Sequence, residues 1–152
     1  AQTEPRLVLP VGHLGGVTKI DSSPNGRLLL TEDLNSDIIV IDSENLIELQ
    51  RHNFGNNRLK SSSFLNDTVV LSLINDSTVS IWNFSNGQLQ FYKVNSKLSK
   101  IYIESHGLYC IDNHGSIFSF ELLNGVLQLK KIVNQYADDI YFKSKKYNTL
   151  LL

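Results

Sequence analysis

The chain has 152 residues, of which 41% are hydrophobic and 19% charged, and its net charge is −1. These proportions are typical of one globular domain or part of one. The longest apolar runs, such as Thr68 to Ile74, fall far short of the roughly 20 residues that a membrane helix needs. The near-neutral charge argues against a nucleic-acid partner, and a single Cys excludes an internal disulfide framework.

The first residues predict a location for the chain. No Met is present and the sequence opens with Ala1, Gln2 and Thr3, which indicates a processed or excerpted chain. A small residue followed by Gln is typical of the start left by signal-peptide cleavage, so we expect an extracytoplasmic protein, periplasmic or secreted. A cloned domain boundary, with a cytoplasmic location, is the alternative.

Composition favours an all-β fold, because the strong helix formers Met and Ala are scarce and Ala occurs only at Ala1 and Ala137. Short runs rich in β-branched and aromatic residues alternate with clusters of Asn, Gly, Asp and Ser, as in an antiparallel meander. In chain order the predicted strands are Val17 to Ser22, Arg27 to Thr31, Ile38 to Asp42, Leu46 to His52, Leu59 to Phe64, Thr68 to Ile74, Val79 to Asn83, Leu89 to Val94, Lys100 to Ser105, Leu108 to Asp112, Ser116 to Glu121 and Val126 to Ile132.

The predicted strands form repeated sets of four. Three similar third strands, 38–42, 79–83 and 117–121, recur about every 40 residues, which is the length of a four-stranded propeller blade. A fourth set begins near Ile140 to Phe142, and its second strand, Thr149 to Leu152, matches the run that starts at Arg27.

Particular residues of these sets resemble the WD-repeat β-propeller family. Gly12-His13, followed by the turn 23–26, by 28–31 and by 38–42, is similar to one complete repeat. The segment from Asn75 to Asn83 resembles the closing half of another. Such a resemblance implies an all-β, WD-repeat-like β-propeller segment with three four-stranded antiparallel blades and half of a fourth, which is an incomplete ring.

The limits of the blades follow from the same repeat of about 40 residues. We expect blades at about 14–53, 57–95 and 98–133, the start of a fourth blade at about 138–152, and an orphan closing strand at 6–11. Because three and a half blades do not close a ring, the remaining blades would come from the rest of the parent chain or from a second copy.

The resemblance also implies a structural hydrogen-bond network in each blade. In the family it joins a His before the first strand, a Ser or Thr in the second, an Asp in the next turn and a Trp in the third. With Trp82 as the anchor, Asp76 and Ser72 lie at the required offsets. We expect these three residues to stabilise the second blade by linking the indole and the carboxylate through the Ser hydroxyl.

The other two blades carry partial networks. In blade 1, Asn35 and Thr31 precede Ile41 by the same numbers of residues as Asp76 and Ser72 precede Trp82, and His13 occupies the His position. We therefore expect His13 and Thr31 to be structural. The same offsets from Phe120 give His114 and Cys110.

No catalytic, cofactor or metal site is predicted. Asp33, Asn35, Asp37 and Glu44 have the spacing of a calcium-binding loop, but Ile38 occupies the position where that loop needs Gly, so a polar turn is the better interpretation. Cys110 falls at a buried position of its blade rather than beside a base. The four His residues have no ligand spacing, and the Lys143, Lys145 and Lys146 group indicates a solvated turn.

The sequence therefore predicts a non-catalytic protein-interaction scaffold that binds a protein or peptide. The loops before each first strand form the channel entrance of such propellers, and there the exposed charged candidates are Arg58, Lys100 and Asp138. The alternative is a regulatory or substrate-docking propeller of a larger enzyme. Residues 4–13 resemble the start of bacterial exported proteins in which WD repeats precede a caspase-like peptidase domain, although no peptidase residue can be carried over.

Overall fold

The structure is a computed structural model that describes residues 12–104, 107–124, 126–134, 141–142 and 150–151. Every regular element in these ranges is a β-strand. The strands are β1 (Val17–Ser22), β2 (Leu28–Asp33), β3 (Asp37–Asp42), β4 (Glu48–Asn53), β5 (Leu59–Phe64), β6 (Val69–Ile74), β7 (Thr78–Asn83), β8 (Gln88–Lys93), β9 (Leu98–Glu104), β10 (Gly107–Asp112), β11 (Ser116–Leu123), β12 (Val126–Asn134), β13 (Tyr141–Phe142) and β14 (Leu150–Leu151).

Consecutive strands pair antiparallel, because tight turns of Asn, Asp, Ser and Gly bring each strand back against the one before it. β1 to β4 form blade 1, β5 to β8 form blade 2 and β9 to β12 form blade 3. β13 pairs with β14 within the stretch predicted to begin a fourth blade. The predicted all-β segment of three four-stranded antiparallel blades is confirmed. The predicted strand at 6–11 lies outside the described residues.

The fourth strand begins two residues later than predicted. β4 starts at Glu48 instead of Leu46, because Leu46 has a φ of 58° and closes the turn by donating its N–H to the carbonyl of Asp42. A left-handed backbone angle cannot belong to a strand.

Two apolar layers hold the blades together. Side chains alternate between the faces of each strand, so blade 2 offers one set to blade 1 and the other to blade 3. Consequently β6 is buried along its whole length. The first layer, between blades 1 and 2, contains Leu30, Ile38, Val40, Phe54, Phe64, Val70, Ile74, Trp82 and Phe84. The second layer, between blades 2 and 3, contains Val69, Leu71, Leu73, Val79, Ile81, Val94, Leu98, Leu108, Cys110, Phe118, Phe120 and Leu127.

The first strands of successive blades lie side by side, β1 against β5 and β5 against β9. Lys19 crosses from β1 to β5, where its ammonium group donates to the carbonyl of Ser62 and, at 2.8 Å, to Ser63 Oγ. The same ammonium group lies 3.7 Å from Glu32 Oε1. This polar bridge fixes the first strand of blade 1 to that of blade 2.

One edge of the blades, here called the loop face, carries the turns between second and third strands and the connections between blades. Backbone bonds join these segments: two continue the pairing of the third and fourth strands, and one crosses from blade 3 to blade 2. Phe54 N–H donates to the carbonyl of Ser36 (3.1 Å), Val94 N–H to that of Ser77 (2.7 Å) and Leu98 N–H to that of Asp76 (2.6 Å). Each turn is thereby tied to the connection that leads into the next blade.

Candidate functional site

In blade 1 a histidine links the chain before β1 to the end of β2. His13 Nε2 lies 2.6 Å from Thr31 Oγ1, so the two share a hydrogen bond. His13 Nδ1 lies 3.0 Å from Asp33 Oδ2, a close contact that lacks the alignment of a hydrogen bond. Thr31 and Asp33 are both buried.

Asp33 remains ionised although it is buried. Burial disfavours the carboxylate, but the N–H groups of Asp37 and Asn35, followed by His13, favour it more and lower the pKa of Asp33. Both N–H groups donate to Oδ1, at 3.0 Å and 2.8 Å. The offset from Ile41 pointed to Asn35 as the acidic position of this network, and that expectation is wrong. The carboxylate beside His13 is Asp33, two residues earlier.

A signal for Asp33 was present in the sequence. In blade 3, Asp112 Oδ1 accepts the N–H groups of His114 and Ser116, two and four residues later, at 2.9 Å and 2.8 Å. Asp33 caps its own turn with the same spacing. An Asp at the end of the second strand therefore marks this turn in blades 1 and 3.

Blade 2 lacks the predicted link between Trp82 and Asp76. Trp82 is buried in the first layer, with its ring centroid 5.8 Å from that of Phe84 and 5.7 Å from that of His52. Ser72 is 1% exposed, yet its hydroxyl has no hydrogen-bond partner among the described residues. The connection between blades 1 and 2 buries Phe54, whose ring cannot hydrogen-bond to Ser72 as His13 does to Thr31.

Asp76 instead pairs with lysines at the edge of the blade, with its side chain 22% exposed and its Oδ1 buried. Its Oδ1 lies 2.5 Å from Lys60 Nζ and its Oδ2 lies 3.5 Å from Lys97 Nζ. The hydrogen bond from Lys60 is the main cause that lowers the pKa of Asp76; partial burial opposes it and Lys97 adds to it. Asn75 and Asp76 have φ angles of 50° and 64° within the turn of residues 75–77 that joins β6 to β7, so the carboxylate is held on that turn.

The lysines around this turn form the candidate site. The basic cluster is defined as Lys60, Lys93 and Lys97. A cavity of about 370 Å³ lies between the Asn75 to Ser77 turn and the segment 93–97, and Asp76, Lys93 and Lys97 line it. Sequence reasoning missed the cluster, because its members come from two strands and a connection that only the fold brings together.

The predicted partner contacts are placed as follows. Arg58 is exposed on the loop face, and its backbone is fixed to Asn75: its N–H donates to Asn75 Oδ1 (2.8 Å) and its carbonyl accepts the Asn75 N–H (2.9 Å). Lys100 is also exposed, but it lies within β9 and not in the loop before it, because that strand already begins at Leu98. Asp138 lies outside the described residues.

The remaining chemical candidates have structural surroundings. Cys110 is fully buried in the second layer, and burial raises the pKa of its thiol to about 12, so the reactive thiolate does not form near neutral pH. Asp37 of the calcium-like spacing accepts a hydrogen bond from Asn53 Nδ2 (2.7 Å). Within the described ranges, no three His, Cys, Asp or Glu side chains are grouped so as to hold a metal ion, and no helix could cross a membrane.

These observations define the class of fold, an arc of blades from a β-propeller of the WD40 kind. The C-terminal WD40 domain of Sif2 superimposes with a TM-score of 0.69 at 18% identity, over 86% of this chain and 40% of that one. Kluyvelomyces marxianus Hsv2 superimposes with a TM-score of 0.59 at 12% identity, over 83% of this chain and 43% of that one. The chain thus spans less than half the length of either structure. The sequence matches no family model and no curated protein.

Proposed function

We propose that the chain is part of a non-catalytic interaction scaffold that binds a protein or peptide on its loop face. The main support is the set of backbone hydrogen bonds on that face, which join each turn between second and third strands to the connection that leads into the next blade. Exposed side chains such as Arg58 and Lys97 are therefore held on a rigid frame, as binding residues on propeller loops are. The WD40 neighbours support this proposal through their fold.

Further proposals follow from the sequence. The remaining blades would come from the parent chain or from a second copy, with the strand at 6–11 completing the last blade. An extracytoplasmic location after signal-peptide removal stays a prediction, as does the alternative of a docking propeller beside a caspase-like peptidase domain. The comparisons concern the propeller alone and bear on neither.

Selection from a peptide library of unbiased composition tests the scaffold proposal. The 152-residue chain is displayed as bait, and selected peptides are then measured against charge-reversal variants. We expect Arg58→Glu on the loop face, alone or with Lys100→Glu, to weaken binding. Arg27→Glu is the matched control, because Arg27 is an exposed residue in the turn between β1 and β2, at the opposite edge of the blades. No selected peptides, or peptides indifferent to the loop-face variants, would contradict the proposal.

A further inference from the structure

The loop face carries a local excess of positive charge where blades 2 and 3 meet. The basic cluster supplies three ammonium groups and the site holds one carboxylate, that of Asp76, which pairs with Lys60 and Lys97, in a chain whose net charge is −1. At the corresponding place in blade 1 the balance is different, because two carboxylates, Asp33 and Asp37, lie there and Arg51 Nη1 approaches Asp37 Oδ2 at 3.7 Å. The cation excess belongs to one site and not to the whole face.

The lysines differ in how far Asp76 neutralises them. The Lys60 side chain is 30% exposed and lies 2.5 Å from Asp76 Oδ1, whereas the Lys97 side chain is 63% exposed and lies farther from the carboxylate. Lys93 is exposed, lines the same cavity and has no ion pair with a described residue. Two of the three ammonium groups can therefore take a carboxylate from another molecule.

The cavity beside these lysines suits an extended segment of peptide. Its volume of about 370 Å³ accommodates one or two side chains, and Asn75, Ser77, Asn95 and Ser96 line it with amide and hydroxyl donors. Donors of this kind complete the hydrogen bonds of a carboxylate that ammonium groups attract.

The site is held in position before any partner arrives. The carbonyls of Asp76 and Ser77 accept the N–H groups of Leu98 and Val94, which fixes both walls of the cavity. Asn75 and Asp76 keep left-handed φ angles that cost energy in residues other than glycine. Because the backbone of both walls is already fixed, binding of a partner costs little further backbone entropy.

We propose that the basic cluster binds an acidic segment of a partner protein, with Asp76 as an internal carboxylate that competes for Lys60 and Lys97. The proposal rests on the scaffold function and names the chemistry of its partner. A Glu or Asp side chain of the partner enters between Lys93 and Lys97, and the Asn and Ser side chains of the cavity donate to it.

The test uses two fluorescent peptides of equal length, one alternating Glu with Ser and the other alternating Gln with Ser, and fluorescence anisotropy with the 152-residue chain. We expect the Glu peptide alone to bind, and more weakly as salt rises. Lys93→Gln and Lys97→Gln should each weaken binding roughly two- to fivefold. Asp76→Asn should tighten it, because the competing carboxylate is gone.

Arg27→Gln is the matched control, since it removes one exposed positive charge at the opposite edge. Equal binding of the Gln peptide, or an unchanged affinity in Lys93→Gln, would overturn the proposal. Lys93 is exposed and makes no ion pair with a described residue, so we expect Lys93→Gln to fold as the wild type does. Tighter binding of an oligothymidine by the same lysines would overturn it in favour of nucleic acid. If the unbiased library yields loop-face binders without acidic residues, the scaffold function stands and only this inference fails.

Discussion

Blades 1 and 2 use a carboxylate near the same turn for opposite purposes. In blade 1 Asp33 turns inward, caps its own turn and meets His13, which in turn bonds to Thr31. In blade 2 Asp76 turns outward to two lysines, and the hydroxyl of Ser72 has no partner among the described residues.

The residues before the first strand and at the end of the second strand account for this difference. His13 offers two ring nitrogens that connect a hydroxyl to a carboxylate, whereas the connection into blade 2 buries Phe54 and offers none. Blade 2 also has Ile74 at the position of Asp33, so its carboxylate, Asp76, comes two residues later and lies beside Lys60 and Lys97. Blade 2 thus carries a charged group on the loop face, where it can serve binding.

The largest expected effect concerns Trp82, which packs in the first layer, between blades 1 and 2. We expect Trp82→Ala to lower the free energy of unfolding by about 3–5 kcal/mol, because the indole fills the first layer beside Phe84 and His52. Chemical denaturation measures the change. Trp82→Phe is the control and should recover most of the loss, since an aromatic ring remains; an equal loss in both variants would indicate that a hydrogen bond of the indole dominates.

The next largest effect is a difference in stability between variants that disturb Asp33 and Asp76. His13→Ala should cost about 1–3 kcal/mol, because Thr31 and the buried Asp33 both lose a partner. Asp76→Asn, which removes a partly exposed ion pair, should change the stability by less than about 1 kcal/mol. Thermal unfolding of both variants checks the comparison. If Asp76→Asn destabilises the chain as much as His13→Ala does, Asp76 stabilises the fold as strongly as the His13 network does, contrary to this prediction.

The fold could be predicted from the sequence to a greater degree than the site. Alternating apolar residues and Asn-Gly turns are local signals, so the strands of blades 1 to 3 were placed closely. The direction of Asp76 is not local, because it depends on Lys60 in β5, on Lys97 before β9 and on the absence of a histidine near Phe54. Asn35 and Asp33 are only two residues apart, and the sequence spacing selected the wrong one as the acidic position. The structure identifies Asp33, because its Oδ1 accepts the N–H groups of Asn35 and Asp37.

A smaller effect is expected in the turns between third and fourth strands. Leu46 of blade 1 has a φ of 58°, and Gly87 occupies the corresponding turn of blade 2 with a φ of 75°. Because L-residues pay about 1 kcal/mol for this conformation, Gly87→Leu should destabilise by about that amount. Leu46→Gly should stabilise by less, since glycine adds freedom to the unfolded chain. Denaturation midpoints of the two variants test this exchange, and shifts of the same sign would contradict it.

The smallest effect is a pH dependence where the two blades meet. Burial against Phe54 and Trp82 lowers the pKa of His52 below its ordinary value of 6.5, although Asp37 opposes the shift. The unfolded chain then takes up a proton at a higher pH than the folded chain does. The contribution of neutral His52 is therefore complete above pH 6.5 and is lost as the pH falls through the lowered value.

His52→Phe keeps an aromatic ring and removes the titration. We expect the difference in unfolding free energy between wild type and His52→Phe to grow in favour of the variant between pH 7.5 and pH 5, roughly the interval in which an imidazole titrates. A difference that stays constant over this interval would show that His52 takes up its proton equally well in both states.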